Sequence, residues 1–443
     1  MPRTPSIPGR LVPADAQALW MSAVIPSDQF LLYAFVGAGG DERGLRARIL
    51  QRARGIGELC VRIVDVPRDL DFPRWVRTEV RETDATRVHA ADDWQACLRA
   101  LGGAMGDQVD ARRLPWRVHI FCGVADVPGA VETASTVVVL QISHALADGT
   151  LASALARALF DDGHHASAPR RRVDVATLMP PPVAAMAGLV RVPAQGVALL
   201  ANGVRAHRAH RGRVRDEQAG RLPARRDGVP RASINVPPDD RRDLRVIPTH
   251  ADRLRDVGGT VTVGALTVVG GALAAHLGVS VLRAEVLVAS SGERRARNHF
   301  RTVGVDLAAD EPDPTRRAAR IAGDLAEASR RGAHPAAAAE AAAMAVVPSV
   351  LVSWGVRSFD AHAVPETVTG NTVVSSVNRG DDDLVFGGGR VLLTAGFPAL
   401  SPVQTVTHGV HGIGGRVALS VCSSPTGLPD PDAYADRLAA ALR

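Results

Sequence analysis

The chain has 443 residues, 46% of them hydrophobic and 22% charged, with a formal net charge of +6. That length suits two domains and a sizeable buried interior. Four scattered cysteines, Cys60, Cys97, Cys122 and Cys422, lack C-x-x-C spacing and argue against a zinc ribbon or a disulfide scaffold. All the basic residues are arginine, only 4% of residues are aromatic and no basic–aromatic interleaving occurs, so nucleic-acid binding is not expected despite the charge.

The N-terminus is proline-rich and lacks an apolar signal core, which predicts a reduced, cytoplasmic protein. Residues 1–10 read as a loose arm, and Pro26, Ser27 and Asp28 introduce an element at Phe30. A helix is expected over 45–54, a strand over 59–66, a polar strand near 77–81 and an amphipathic helix over 94–101. Pro115 then opens a strand over 117–122, with Trp116 as a core anchor.

The most informative stretch is 136–160. Val137, Val138, Val139, Leu140 and Ile142 form a short continuous apolar run, the pattern of a buried strand. Ser143 and His144 end it. Asp148 and Gly149 precede Leu151, Ala154, Leu155, Ala158 and Leu159, which share one helical face. His144 is therefore expected in the turn after a core strand, where open α/β sheets place ligands. Taken locally, Asp148 is a helix N-cap, worth ~1 kcal/mol, and His144 a loop histidine.

Residues 161–230 are rich in Arg, Pro, Gly and Ala. Arg191 and Pro193 divide their apolar content into two pieces, 183–190 and 197–204, each short of the ~20 residues a membrane span needs. An apolar helix flanked by arginines can lie on an anionic membrane; the main expectation is an interdomain crossover packed on the protein. His164-His165 has no following D-G, and His207 and His210 lack a third ligand, so no metal site is expected. Beyond 230, a strand over 232–236 and a helix over 239–257 broken at Pro248 are expected. A buried helix over 260–277, strands over 281–290 and 300–307, and an Arg-studded helix over 315–332 come next. An Ala-rich apolar helix over 336–347, in the core or the tunnel wall, a strand over 371–378, a hairpin at Gly387-Gly388-Gly389 and a final strand pair and helix complete the chain.

Several of these strings carry a resemblance. Ser143-His144-Ala145-Leu146-Ala147-Asp148-Gly149 resembles H-H-x-x-x-D-G. Residues 21–31 resemble an L-S-x-x-D-x-x-F opening, 109–116 an L-D-x-x-x-P-L-W string, and Pro429-Asp430-Pro431 a closing P-D-P helix start. In these landmarks, ordered from about residue 21 to 443, the chain resembles the wax ester synthase/diacylglycerol acyltransferase family of the chloramphenicol acetyltransferase-like superfamily, which includes condensation domains. It departs from that pattern at Ser143, at Thr262-Val263 where the family has N-D, and at Ser376, Asn378, Arg379 and Gly380 within its S-N-V-P-G-P string.

The resemblance implies an α/β fold of two acetyltransferase-like lobes, each a mixed sheet covered by helices, with the active-site tunnel between them. The lobes would span 1–165 and 231–443, joined by a crossover over 166–230. It implies direct acyl transfer from acyl-CoA, a substrate, to an alcohol or diacylglycerol-like acceptor, with no cofactor and no metal. His144 would be the general base, Asp148 would hold the motif turn through a buried arginine the sequence does not identify, Gly149 would allow the tight turn and close helix entry, and Ser143, Ser375, Ser376 and Asn378 would line the site. A peripheral membrane or lipid-droplet contact fits the same picture. A condensation-type or natural-product acyltransferase with another donor or acceptor is the alternative, followed by a catalytically silent lipid-binding relative. No G-x-S-x-G elbow supports a serine hydrolase.

Overall fold

The computed structural model describes residues 9–37, 40–130, 134–162, 180–224, 226–290, 294–361 and 363–443. The first half runs α1 (Pro13–Met21), β1 (Gln29–Val36), α2 (Glu42–Gly55), β2 (Val61–Val64), β3 (Arg74–Arg77), α3 (Glu82–Ala85), β4 (Thr86–His89), α4 (Trp94–Ala104), β5 (Trp116–Val124), β6 (Ser135–Ile142) and α5 (Gly149–Phe160). Then come α6 (Pro181–Gln218), β7 (Val229–Pro230), β8 (Asp243–His250), α7 (Ala251–Gly258), α8 (Val261–Leu277), β9 (Arg283–Ala289) and β10 (Phe300–Asp306). The chain closes with α9 (Pro314–Ala333), α10 (Pro335–Met344), α11 (Ser349–Arg357), β11 (Thr367–Val368), β12 (Thr372–Asn378), β13 (Val385–Phe386), β14 (Gly389–Phe397), β15 (Val406–Ile413), β16 (Arg416–Ser423) and α12 (Pro431–Ala441).

These strands form two mixed six-stranded sheets, ordered β13-β14-β1-β6-β5-β4 and β10-β9-β12-β15-β16-β8. Helices flank both, giving two acetyltransferase-like lobes around a central cleft. Every residue of β6 is buried, as its continuous apolar run requires of a strand covered on both faces. One face packs Tyr33, Leu140, Leu155 and Phe160 together. The other joins Phe30, Val137, Val139 and Leu98 to Leu244, Ala418 and Cys422 of the second sheet. At ~1.5–3 kcal/mol per buried large aliphatic side chain, this shared core holds the lobes together. The hairpin β13–β14 comes from the C-terminal half yet pairs with β1 in the first sheet.

A polar chain crosses the second face of the first sheet. Asp28 Oδ2 accepts from Gln141 Nε2 at 2.7 Å and from the Val109 amide at 2.7 Å. Gln141 Oε1 meets His119 Nε2 at 2.9 Å, and His119 Nδ1 meets His89 Nε2 at 2.9 Å. Burial raises the Asp28 carboxyl to about 6 and lowers the His119 imidazole to about 4.

Several expectations need correction. Residues 243–250 form a strand, not a helix, because they pair along β16; Pro248 is tolerated there since β8 is an edge of its sheet. Residues 232–236 form a turn, in which Asn235 accepts from the Ala232 amide and donates to Asn371 O and Val403 O. The Ala-rich helix α10 buries only Ala336, so it is a surface helix and not core. Arg191 and Pro193 do not divide the crossover: α6 is continuous over 38 residues with Pro193 inside it. Proline costs a helix ~3 kcal/mol, offset by many intact turns and by the packing of α10 along the helix, where Arg213 pairs with Glu340 at 2.9 Å. This helix is long and apolar enough to cross a membrane by length and composition, and only 17% of its most apolar window is buried. Val190, Val197 and Leu200 are each at least 70% exposed. His210 sits against Arg213 Nη2 at 2.9 Å, and His164-His165 lies outside the described residues.

Candidate active site

The apolar run of β6 ends at Ile142, and the next residues turn tightly because Ser143 organises them. Its carbonyl accepts from the Leu146 amide at 2.9 Å, and its Oγ accepts from the Ala145 amide at 3.3 Å. Ala145, Leu146 and Ala147 are fully buried, which fixes the turn, while His144 points out of it and is half-buried. Ser143 thus serves the turn through both its oxygens.

Asp148 caps α5, accepting from the Leu151 amide at 3.0 Å. A carboxylate only 3% exposed needs further partners. They come from the second lobe: Oδ2 accepts from the His299 amide at 3.1 Å and pairs with Arg294 Nη1 at 2.8 Å. Arg294, half-buried and not buried as expected, is the arginine that pairs with Asp148. The helix start packs closely on β12: a Cβ at Gly149 would lie 3.3 Å from Val377 Cγ2, which would have to shift by a few tenths of an ångström.

The segment 294–299 between β9 and β10 closes over the motif. Arg297, 3% exposed, donates Nε to Leu146 O. Asp15 of α1 accepts the Arg297 amide at 3.0 Å, the Asn298 amide at 3.0 Å and Asn298 Nδ2 at 3.1 Å. Asn298 Nδ2 also donates to His144 O at 2.6 Å, and Asn298 Oδ1 lies 3.3 Å from His144 Nδ1. The Phe300 ring sits 6.2 Å from the imidazole, centre to centre. Burial lowers the His144 pKa, opposed by the Asn298 hydrogen bond and by Asp148. Burial raises the pKa of Asp15, against its hydrogen bonds from Arg297 and Asn298.

The other candidates lie on β12. Its pairing with β9 ends at Val374, so Ser375, Ser376 and Val377 are paired with β15 and not with β9. Ser376 Oγ accepts from Thr262 Oγ1 at 3.1 Å, so two altered motif positions meet. Asn378 is exposed and its side chain accepts from the Gly380 amide at 3.0 Å, a turn contact. Arg379 is buried and stacks over Tyr33 at 5.1 Å. It donates Nη1 to Ala395 O at 2.9 Å and its amide to Gly412 O at 2.8 Å, pinning the two sheets together. Sequence reading missed Asp15, Arg294, Arg297 and Asn298, none of which sits in a short motif.

Residues 297–443 match a family model described as the WS/DGAT C-terminal domain. A search of the curated proteins by sequence finds no match. Among solved structures, a wax ester synthase/diacylglycerol acyltransferase from Marinobacter aquaeolei VT8 is similar at 18% identity and TM-score 0.62, covering 98% of both chains. The first condensation domain of the calcium-dependent antibiotic synthetase is similar at 14% identity and TM-score 0.55, covering 99% of this chain and 97% of the other. The starter condensation domain of rhizomide synthetase, in complex with C8-CoA, is similar at 13% identity and TM-score 0.55, covering 96% and 91%. Residues 297–443 thus match the WS/DGAT C-terminal domain, and over nearly its whole length the chain shares the fold of these solved structures.

Proposed function

We propose that the chain is an acyl-CoA-dependent O-acyltransferase in which His144 is the general base. The observation that carries this is a half-buried histidine in the turn after β6, held by Asn298 from the second lobe. His144 takes the proton from the acceptor hydroxyl as the oxygen attacks the thioester carbonyl. The tetrahedral adduct then expels the thiolate, which receives that proton from the imidazolium. A positioned base of this kind contributes about 10²–10⁴-fold. Asp148, engaged by its cap, Arg294 and the His299 amide, holds the motif.

The assay is thiol release from palmitoyl-CoA with pooled long-chain alcohols and diacylglycerol. Release is expected to require an acceptor and to fall at least 100-fold in His144→Ala; full activity in that variant sinks the reading. The hydroxyl pair Thr262–Ser376 motivates a second reading, since it replaces family residues. In that reading the enzyme is a condensation-type acyltransferase with another acceptor, and amine acceptors or carrier-bound acyl donors turn over while alcohols do not. A silent lipid-binding relative would bind acyl-CoA and turn over none of these.

A peripheral lipid contact belongs to the same proposal. The exposed apolar residues of α6 run into exposed Arg205, Arg208 and Arg211, the pattern of a helix lying on an anionic surface in a cytoplasmic enzyme.

A further inference from the structure

We infer that Asn298, contributed by the second lobe, is a positioning residue that fixes the Nδ1–H tautomer of His144 and so makes Nε2 the basic nitrogen. The inference rests on His144 being the base. It follows from counting donors and acceptors around one amide. Asn298 Nδ2 has two hydrogens, and two acceptors face it: His144 O at 2.6 Å and Asp15 Oδ1 at 3.1 Å. Neither acceptor can donate, because one is a carbonyl and the other is a carboxylate oxygen already receiving the Asn298 amide at 3.0 Å. The amide therefore cannot be flipped without setting its oxygen against two oxygens. With the nitrogen so assigned, Oδ1 is the atom facing His144 Nδ1, at 3.3 Å. A carboxamide oxygen only accepts, so in the neutral ring the proton sits on Nδ1 and the lone pair on Nε2.

Asp15 is what makes this orientation rigid. Its two oxygens accept consecutive main-chain amides, of Arg297 and Asn298, together with the Asn298 side chain. α1 and the segment 294–299 are thereby locked as one unit against the turn at His144. The base is thus assembled from both lobes: the imidazole comes from the first, and the group that sets its tautomer from the second. Separating the lobes would leave the ring free to adopt the Nε2–H form, which predominates in free neutral histidine and places the lone pair on the wrong nitrogen.

The test reads tautomer and turnover separately. Full-length protein labelled with ¹⁵N-histidine is examined by long-range ¹H–¹⁵N correlation, with the His144 signals assigned by their loss in His144→Ala. The wild type is expected to show a protonated Nδ1 and an unprotonated Nε2, and Asn298→Ala to shift toward the Nε2–H form. A wild-type Nε2–H ring, or a tautomer unmoved in Asn298→Ala, overturns the inference whether or not turnover is found. With palmitoyl-CoA and 1-hexadecanol, Asn298→Ala should lower kcat by about 10–100-fold and change KM less than about twofold, the signature of a group acting on the chemical step. A residue that merely holds the loop would not move the tautomer. Full activity in His144→Ala removes the base reading itself. Loss in His144→Ala with normal kcat in Asn298→Ala removes only the role of Asn298.

Discussion

Single residues here are governed by how burial sets their protons. Asp28 is raised to about 6 and His119 lowered to about 4. Between ordinary carboxylate values and about 6, folded Asp28 keeps a proton that the unfolded chain has released, so its contribution to stability falls as pH rises. Between about 4 and the ordinary histidine value, folded His119 lacks a proton that the unfolded chain holds, so its contribution rises with pH. The two slopes oppose each other from about pH 4 to 6. Asp28→Asn removes the falling one, and stability should then climb more steeply with pH than in the wild type, by up to roughly 1.4 kcal/mol per unit. Urea unfolding at several pH values in that window measures this; parallel slopes would mean that Asp28 stays ionised when folded. His144, Asp148 and Gly149 were readable from sequence because a strand, a turn and a capped helix are adjacent in the chain. Asn298 was not, since it reaches His144 from 154 positions away and Asp15 from 283.

At the scale of elements, the largest surprise is α6. An arginine and a proline looked like breaks, yet the helix runs on through both. Among the described residues its exposed apolar side chains find no cover, which is why the proposed lipid contact is placed there. Val190→Ser, Val197→Ser and Leu200→Ser combined should reduce cosedimentation with phosphatidylglycerol vesicles several-fold. They should leave thiol release from a short-chain acyl-CoA in free solution unchanged. Equal sedimentation of both proteins would exclude this face as the contact. The strand β8 teaches a related lesson. Leu244 and Ile247 fit a helix as well as a strand locally, and the choice falls to β16, which supplies a full ladder of partners.

At the scale of the whole molecule, the two lobes are not independent. β14 comes from the C-terminal half and covers β1 in the first sheet, Arg379 ties that sheet to β15, and one apolar core is shared between the sheets. Unfolding in urea should therefore be a single transition. Tryptophan fluorescence, dominated by Trp20, Trp75, Trp94 and Trp116 of the first lobe, and far-ultraviolet circular dichroism of the whole chain should share one midpoint. Two resolved midpoints would show separable lobes. A fragment ending near residue 230 should not fold stably, because β1 would present a bare apolar edge. Sequence alone determined what local rules control: the buried strand of β6, the cap at Asp148, the order of most elements and the string at 143–149 that pointed to acyl transfer. Tertiary structure decided which strand covers β1, which arginine answers Asp148, and which amide faces His144. Those choices depend on groups that meet only when hydrophobic burial brings distant segments together, and no periodicity or spacing along the chain encodes which of the remote polar groups will meet.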